Sequence, residues 1–124
     1  MFTIKSIHHI KLTVLDLNRS LEFYSLLPGF RLVTDTPHFK MFFTGHFYLG
    51  LYDHEENQKE KRFDEKNVGM DHISFAVSSL VDLEEALRFF DEHAIPHGKI
   101  EKLSNDTYIL SFRDPDNIQL ELAF

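Results

Sequence analysis

The chain contains no cysteine. A disulfide framework and a thiolate-ligated metal are therefore excluded. No apolar run approaches the roughly 18 residues that span a bilayer. The opening Met1-Phe2-Thr3-Ile4-Lys5 lacks the cationic and apolar blocks of a secretory signal, so a cytoplasmic setting is expected. Basic residues are in deficit, 13 Lys and Arg against 20 Asp and Glu, for a net charge of −7. An acidic surface repels phosphodiester backbones, which argues against a nucleic-acid partner.

What is present is a single-domain length of 124 residues, 43% hydrophobic, with 13 Phe. A core of ordinary size can form from that composition. There are also 8 His, many for this length, and imidazole is the commonest metal ligand.

The chain repeats itself. His9-Ile10-Lys11-Leu12-Thr13-Val14 recurs 63 residues later as His72-Ile73-Ser74-Phe75-Ala76-Val77. A helical pattern follows each copy, near Asn18–Leu27 and near Val81–Phe90, the first capped by Asp16 or Asn18. In the second, Leu83, Leu87 and Phe90 recur at helical spacing and mark one buried face. Pro28-Gly29 stops the first helix.

Three extended segments follow each helix. They fall near Phe30–Thr34, Phe39–Phe43 and Phe47–Tyr52, then near Gly98–Leu103, Tyr108–Phe112 and Ile118–Phe124. The expectation is an α+β fold of two βαβββ modules, residues 1–53 and 68–124. Between them, residues 54–67 are rich in Glu, Lys, Asn, Asp and Gln and read as a solvated linker.

Strand parity sorts the faces. Ile10, Leu12 and Val14 oppose His9, Lys11 and Thr13. Ile73, Phe75 and Val77 oppose His72, Ser74 and Ala76. In the last strand Ile118, Leu120 and Leu122 oppose Gln119 and Glu121. Two imidazoles and one carboxylate thus stand on polar strand faces, the ligand types of a divalent site with open coordination positions. His8 is expected to point away from His9. His38, His46, His54, His93 and His97 read as loop or surface residues. Lys11, Thr13, Tyr48, Tyr52 and Ser74 are candidates for lining a substrate cleft, from parity alone. Asp114-Pro115-Asp116-Asn117 reads as a turn, and the Phe-rich pattern mainly as core.

These residues resemble the vicinal oxygen chelate superfamily: glyoxalase I, extradiol dioxygenases, fosfomycin-resistance enzymes and bleomycin-binding proteins. The resemblance rests on His9-Ile10-x-Leu12-x-Val14-x-Asp16-Leu17 with Ser20 and Phe23-Tyr24, on Asp71-His72-Ile73, and on Asp114-Pro115-Asp116 followed by Glu121. It implies a curved mixed sheet around a metal cleft and His9, His72 and Glu121 as ligands of one divalent ion, Fe2+, Mn2+, Ni2+, Co2+ or Zn2+. It implies a homodimer acting on a small molecule that chelates the metal through adjacent oxygens. Glyoxalase I supplies a fourth ligand, a Glu, where this chain has Gly50. Fosfomycin enzymes often have a small hydroxyl residue where this chain has Lys11. The reaction stays open among isomerisation, dioxygenation and addition, with no catalytic base assigned. The alternatives are a metal-free sequestering protein of the bleomycin-resistance type and a module whose metal only stabilises the fold.

Overall fold

A computed structural model describes residues 1–54 and 61–124; residues 55–60, within the stretch read as linker, lie outside the described residues. The chain divides into two units, 1–60 and 61–124, each built on its own sheet.

The first unit runs β1 (His9–Thr13), α1 (Leu17–Leu26), β2 (Arg31–Asp35), β3 (Phe39–Phe43) and β4 (Tyr48–Tyr52). The second runs β5 (Ile73–Ala76), α2 (Leu80–Glu92), β6 (Glu101–Lys102), β7 (Tyr108–Arg113) and β8 (Gln119–Ala123). Strand order is β1-β4-β3-β2 in one sheet and β5-β8-β7-β6 in the other. In each, the first strand pairs in parallel with the last and the remaining pairs are antiparallel. Each unit is therefore the βαβββ module expected from the repeat, with a mixed sheet.

Local chemistry explains the boundaries. Asp16 caps α1, its carboxylate accepting the Arg19 amide at 3.0 Å. Leu27 ends the helix and Gly29 adopts φ +87°, a conformation glycine tolerates without strain. Ser79 caps α2 by accepting the Asp82 amide. The buried face of α1 is Leu17, Ser20, Phe23 and Tyr24, three- and four-residue steps with Ser20 small enough for close approach. Beneath α1 lie Leu12, Val14, Phe42, Leu49 and Leu51, all buried. In the second unit Leu83 and Phe90 of α2 are buried, as are Leu110, Phe112 and Leu120 of the sheet, and Phe90 stacks on Phe112 at 4.5 Å. The last turn forms as read: Asp114 Oδ1 accepts the Asp116 and Ile118 amides at 2.8 Å, and Asn117 takes φ +68°.

One stretch differs from its reading, and a second carries contacts its composition did not announce. The segment near Gly98–Leu103 forms regular strand only at Glu101–Lys102. His97 bridges Phe112, whereas Glu101 pairs with Ile109, so residues 98–100 bulge by one residue between the two registers. Residues 61–67, within the span read as solvated, are tied to the second unit. The Phe63 amide donates to Asp116 O, Asn117 Nδ2 donates to Phe63 O, and Arg113 grips Glu65 with both guanidinium nitrogens at 2.8 and 3.0 Å. The polar, mixed-charge composition of the segment concealed this, because one Arg of β7 supplies the partner.

His97, read as a surface residue, is joined to Asp91 of α2 at 2.7 Å and to the Gly98 carbonyl. The Asp91 carboxylate chiefly, then the carbonyl, raises the imidazole above its usual range. A raised folded pKa favours the native state most below the unfolded value of about 6.5, and that share fades as pH rises through the folded value. The unfolding free-energy gap between wild type and Asp91→Asn, read by urea titration, should be widest near pH 5.5 and narrow toward alkaline pH. Glu65 behaves oppositely. The Arg113 hydrogen bonds hold it down to about 2. Its contribution is present above about 4.5 and is lost as pH falls toward 2. Glu65→Gln should expose the 61–67 segment to protease at neutral pH, where the wild-type chain resists cleavage there.

Candidate functional site

The parallel strand pairs set the geometry. On β5 and β8, Ser74 lies opposite Glu121; on β1 and β4, Lys11 lies opposite Gly50. The two registers correspond: Ile73 meets Leu120 as Ile10 meets Leu49. Gly50 therefore occupies in the first module the place that Glu121 holds in the second, and Lys11 the place of Ser74.

In the second module the candidate ligands come together. His72 Nε2 lies 3.7 Å from Glu121 Oε1, and the Ser74 hydroxyl donates to that same oxygen at 2.8 Å. Glu121 is mostly buried while His72 is half-exposed. His72 Nδ1 faces Asp71 Oδ1 at 2.7 Å, and Gln119 Nε2 donates to that carboxylate at 2.8 Å. Gln119 Oε1 in turn accepts from Arg113, which holds Glu65. A continuous polar chain thus runs from Glu65 through Arg113, Gln119 and Asp71 to His72. Asp71 enters the sequence reading only as part of the Asp71-His72-Ile73 motif, and Gln119 and Arg113 are given no role there. The signal was partly there, since Gln119 shares strand parity with Glu121 and Asp71 adjoins His72.

This set fits a divalent cation. A carboxylate on Nδ1 fixes the imidazole tautomer with the lone pair on Nε2. Nε2 and Glu121 Oε1 are close enough to share one ion at ordinary bond lengths of about 2.0–2.2 Å. Among the described residues no three His, Asp or Glu side chains are gathered as a ready cluster.

In the first module His9 and His8 stand with their Nδ1 atoms 2.9 Å apart and their rings edge to face. His8 thus lies on the same side as His9, contrary to its sequence reading. It precedes the regular strand, so strict alternation does not govern its side chain, and its ring also approaches Tyr48 at 5.9 Å. One of the two Nδ1 atoms must donate to the other, which leaves His9 Nε2 as the nitrogen free to face a ligand.

The rest of this face is aromatic and cationic. Lys11 Nζ sits 4.4 Å from the Tyr52 ring centroid and 5.4 Å from that of Phe39. Tyr48 packs on Phe43 at 5.0 Å, and Tyr52 on His54 at 4.5 Å. Thr13 is exposed opposite Tyr52. Phe42 is core, but Phe39 and Phe43 are half-buried on the His9 face. Parity separates them, although all three read as core by composition.

With this geometry in view, comparison places the chain. Residues 6–122 match the model of the Glyoxalase/Bleomycin resistance protein/Dioxygenase superfamily, and the chain belongs to that family. Its fold is shared by a glyoxylase/bleomycin resistance protein/dioxygenase domain from Frankia sp. EAN1pec, at 27% identity and TM-score 0.85 over 98% of both chains. A lactoylglutathione lyase from Agrobacterium tumefaciens is similar at 25% identity and TM-score 0.76, over 97% of this chain and 93% of that one. The fosfomycin resistance protein FosX from Listeria monocytogenes shares the fold at 20% identity and TM-score 0.76, over 98% and 93%. No curated protein sequence matches this chain. Among the described residues no helix is long and apolar enough to cross a membrane.

A Cβ at Gly50 would stand 3.0 Å from Phe39 Cε2 and 3.6 Å from Lys11 Cγ. Gly50→Ala should therefore cost about 1 kcal/mol, read as a lowered urea midpoint. The cost should vanish in a Phe39→Ala background, where the obstructing ring is gone; additive effects would show that the ring is not the obstacle.

Proposed function

We propose that this protein is a metal-dependent enzyme of the vicinal oxygen chelate type acting on a small molecule. His9, His72 and Glu121 bind one divalent ion, Fe2+, Mn2+, Ni2+, Co2+ or Zn2+. The supporting observation is the His72–Glu121 pair, backed by Asp71 on the far side of the imidazole. Such an ion acts as a Lewis acid, stabilising negative charge that develops on vicinal substrate oxygens.

The chain's own residues have separable tasks. Asp71 and Gln119 fix the His72 ring, and Ser74 fixes the Glu121 carboxylate through its hydroxyl. Gly50 supplies no donor at the register position that Glu121 holds in the second module. This tells against a glyoxalase I reaction in which that fourth ligand also moves the proton. Addition to an electrophile and extradiol-like dioxygenation remain the better supported classes.

Donors from both modules are needed. The functional unit is proposed as a homodimer in the cytoplasm, with neither nucleic acid nor membrane as partner. A metal-free sequestering protein is the second reading, favoured by the aromatic and cationic face around Lys11.

Titrating the EDTA-treated chain with Mn2+ tests the leading reading. His9→Ala, His72→Ala and Glu121→Gln should each abolish tight binding. Asp71→Asn should weaken it by about 10–100-fold while the ligands remain. Wild-type affinity in Glu121→Gln and His72→Ala would sink the metal site. Failure of the wild-type chain to bind any of the five ions would leave the sequestering reading.

A further inference from the structure

The two modules share a backbone plan, but their corresponding faces carry opposite chemistry. On the second, Ser74, Glu121, Gln119 and Ser111 surround His72. At the corresponding register positions on the first stand Lys11, Gly50, Tyr48 and Met41 around His9. Tyr52 likewise takes the place of Ala123, and Phe39 that of Ile109. Where the second module presents a carboxylate, the first presents a glycine crossed by the stem of a lysine.

Gly50 has a structural reason beyond the missing ligand. The ring edge of Phe39 fills the space a side chain there would need, with the stem of Lys11 in ordinary contact beside it. That lets the ammonium lie on Tyr52 and Phe39. A second cation, Arg31, lies on the Phe43 ring at 5.9 Å. Arg31 pairs with Phe43, and both belong to the face that carries His9. The strand positions on this face include no carboxylate; Asp35 pairs with Lys40 on the opposite one. Each cation is held over a ring, yet both side chains are exposed. A cation over an aromatic ring keeps its other side open to an anion.

We propose that the first-module face is the specificity subsite, and that it takes a small molecule joining an anionic group to a flat apolar body. Lys11 receives the anion, and the aromatic residues of this face, the exposed Tyr48 among them, receive the body. The inference rests on the proposed function for what happens to the bound molecule, but binding itself requires no metal.

The test is an amide-resolved NMR titration of the full chain after EDTA dialysis. Benzoate and phenylphosphonate supply the anion from two chemical sources, and benzyl alcohol and benzylamine are the neutral and cationic counterparts. At least one anion should shift Lys11, Gly50 and Tyr52, and bind about tenfold tighter than benzyl alcohol, the strength of one charged hydrogen bond. Benzylamine should bind weakest. Which anion binds tighter assigns carboxylate or phosphonate. Lys11→Met should remove the anion preference and Lys11→Arg should retain it, both with wild-type Mn2+ affinity. His72→Ala should lose Mn2+ and keep the anion preference, which separates this inference from the metal reading. Equal binding of benzoate, phenylphosphonate and benzyl alcohol would overturn it. So would an unchanged anion preference in Lys11→Met, shifts confined to the second module, or no shift with any probe up to its solubility limit.

Discussion

The parallel pairing of the first and last strand within each module is the constraint on which the rest depends. Parallel neighbours cannot be joined by a tight turn, so the helix and two further strands must lie between them in sequence. That long excursion brings Ser74 opposite Glu121, 47 positions further along. A slip of one residue in this register would turn Glu121 into the core and Leu120 toward solvent. Leu120 and Leu110, both fully buried, therefore specify the placement of Glu121 as firmly as any polar contact does. Hydrophobic burial aligns the chemistry.

A second layer of control is polar. Asp71 alone would be an exposed carboxylate beside an imidazole. Joined to Gln119, and through it to Arg113 and Glu65, it becomes the end of a braced chain. Each member satisfies the next, so a ligand-type histidine acquires a defined orientation before anything binds. Such preorganisation matters because an imidazole free to rotate would have to be ordered at the moment of binding. The polar stretch that opens the second unit contributes directly, because Glu65 anchors the outer end.

The modules illustrate how a duplicated frame diverges. Both keep the buried leucines and phenylalanines under the helix, since packing tolerates little change in volume. Their opposite faces are not held by that demand. One became polar around His72; the other became aromatic around His9, with Lys11 and Arg31 seated on rings. An aromatic ring beneath an ammonium leaves the charge exposed, whereas a carboxylate there would neutralise it. The same backbone positions thus carry opposite chemistry in the two modules.

The repeat, the 3.6- and 2-residue periods and the turn residues made the two βαβββ modules legible in the sequence. They did so because backbone geometry and burial are local demands that each segment states for itself. β3 at Phe39–Phe43 and the cap at Asp16 follow in this way. The family was legible too, from the repeated strand pattern and the closing turn and strand. Tertiary structure alone decided that Glu65 braces Arg113, that His8 turns to His9, and that the Phe39 ring lies over Gly50. Each depends on partners brought together by strand register or by an irregular backbone, and periodicity names a face without naming what meets it there.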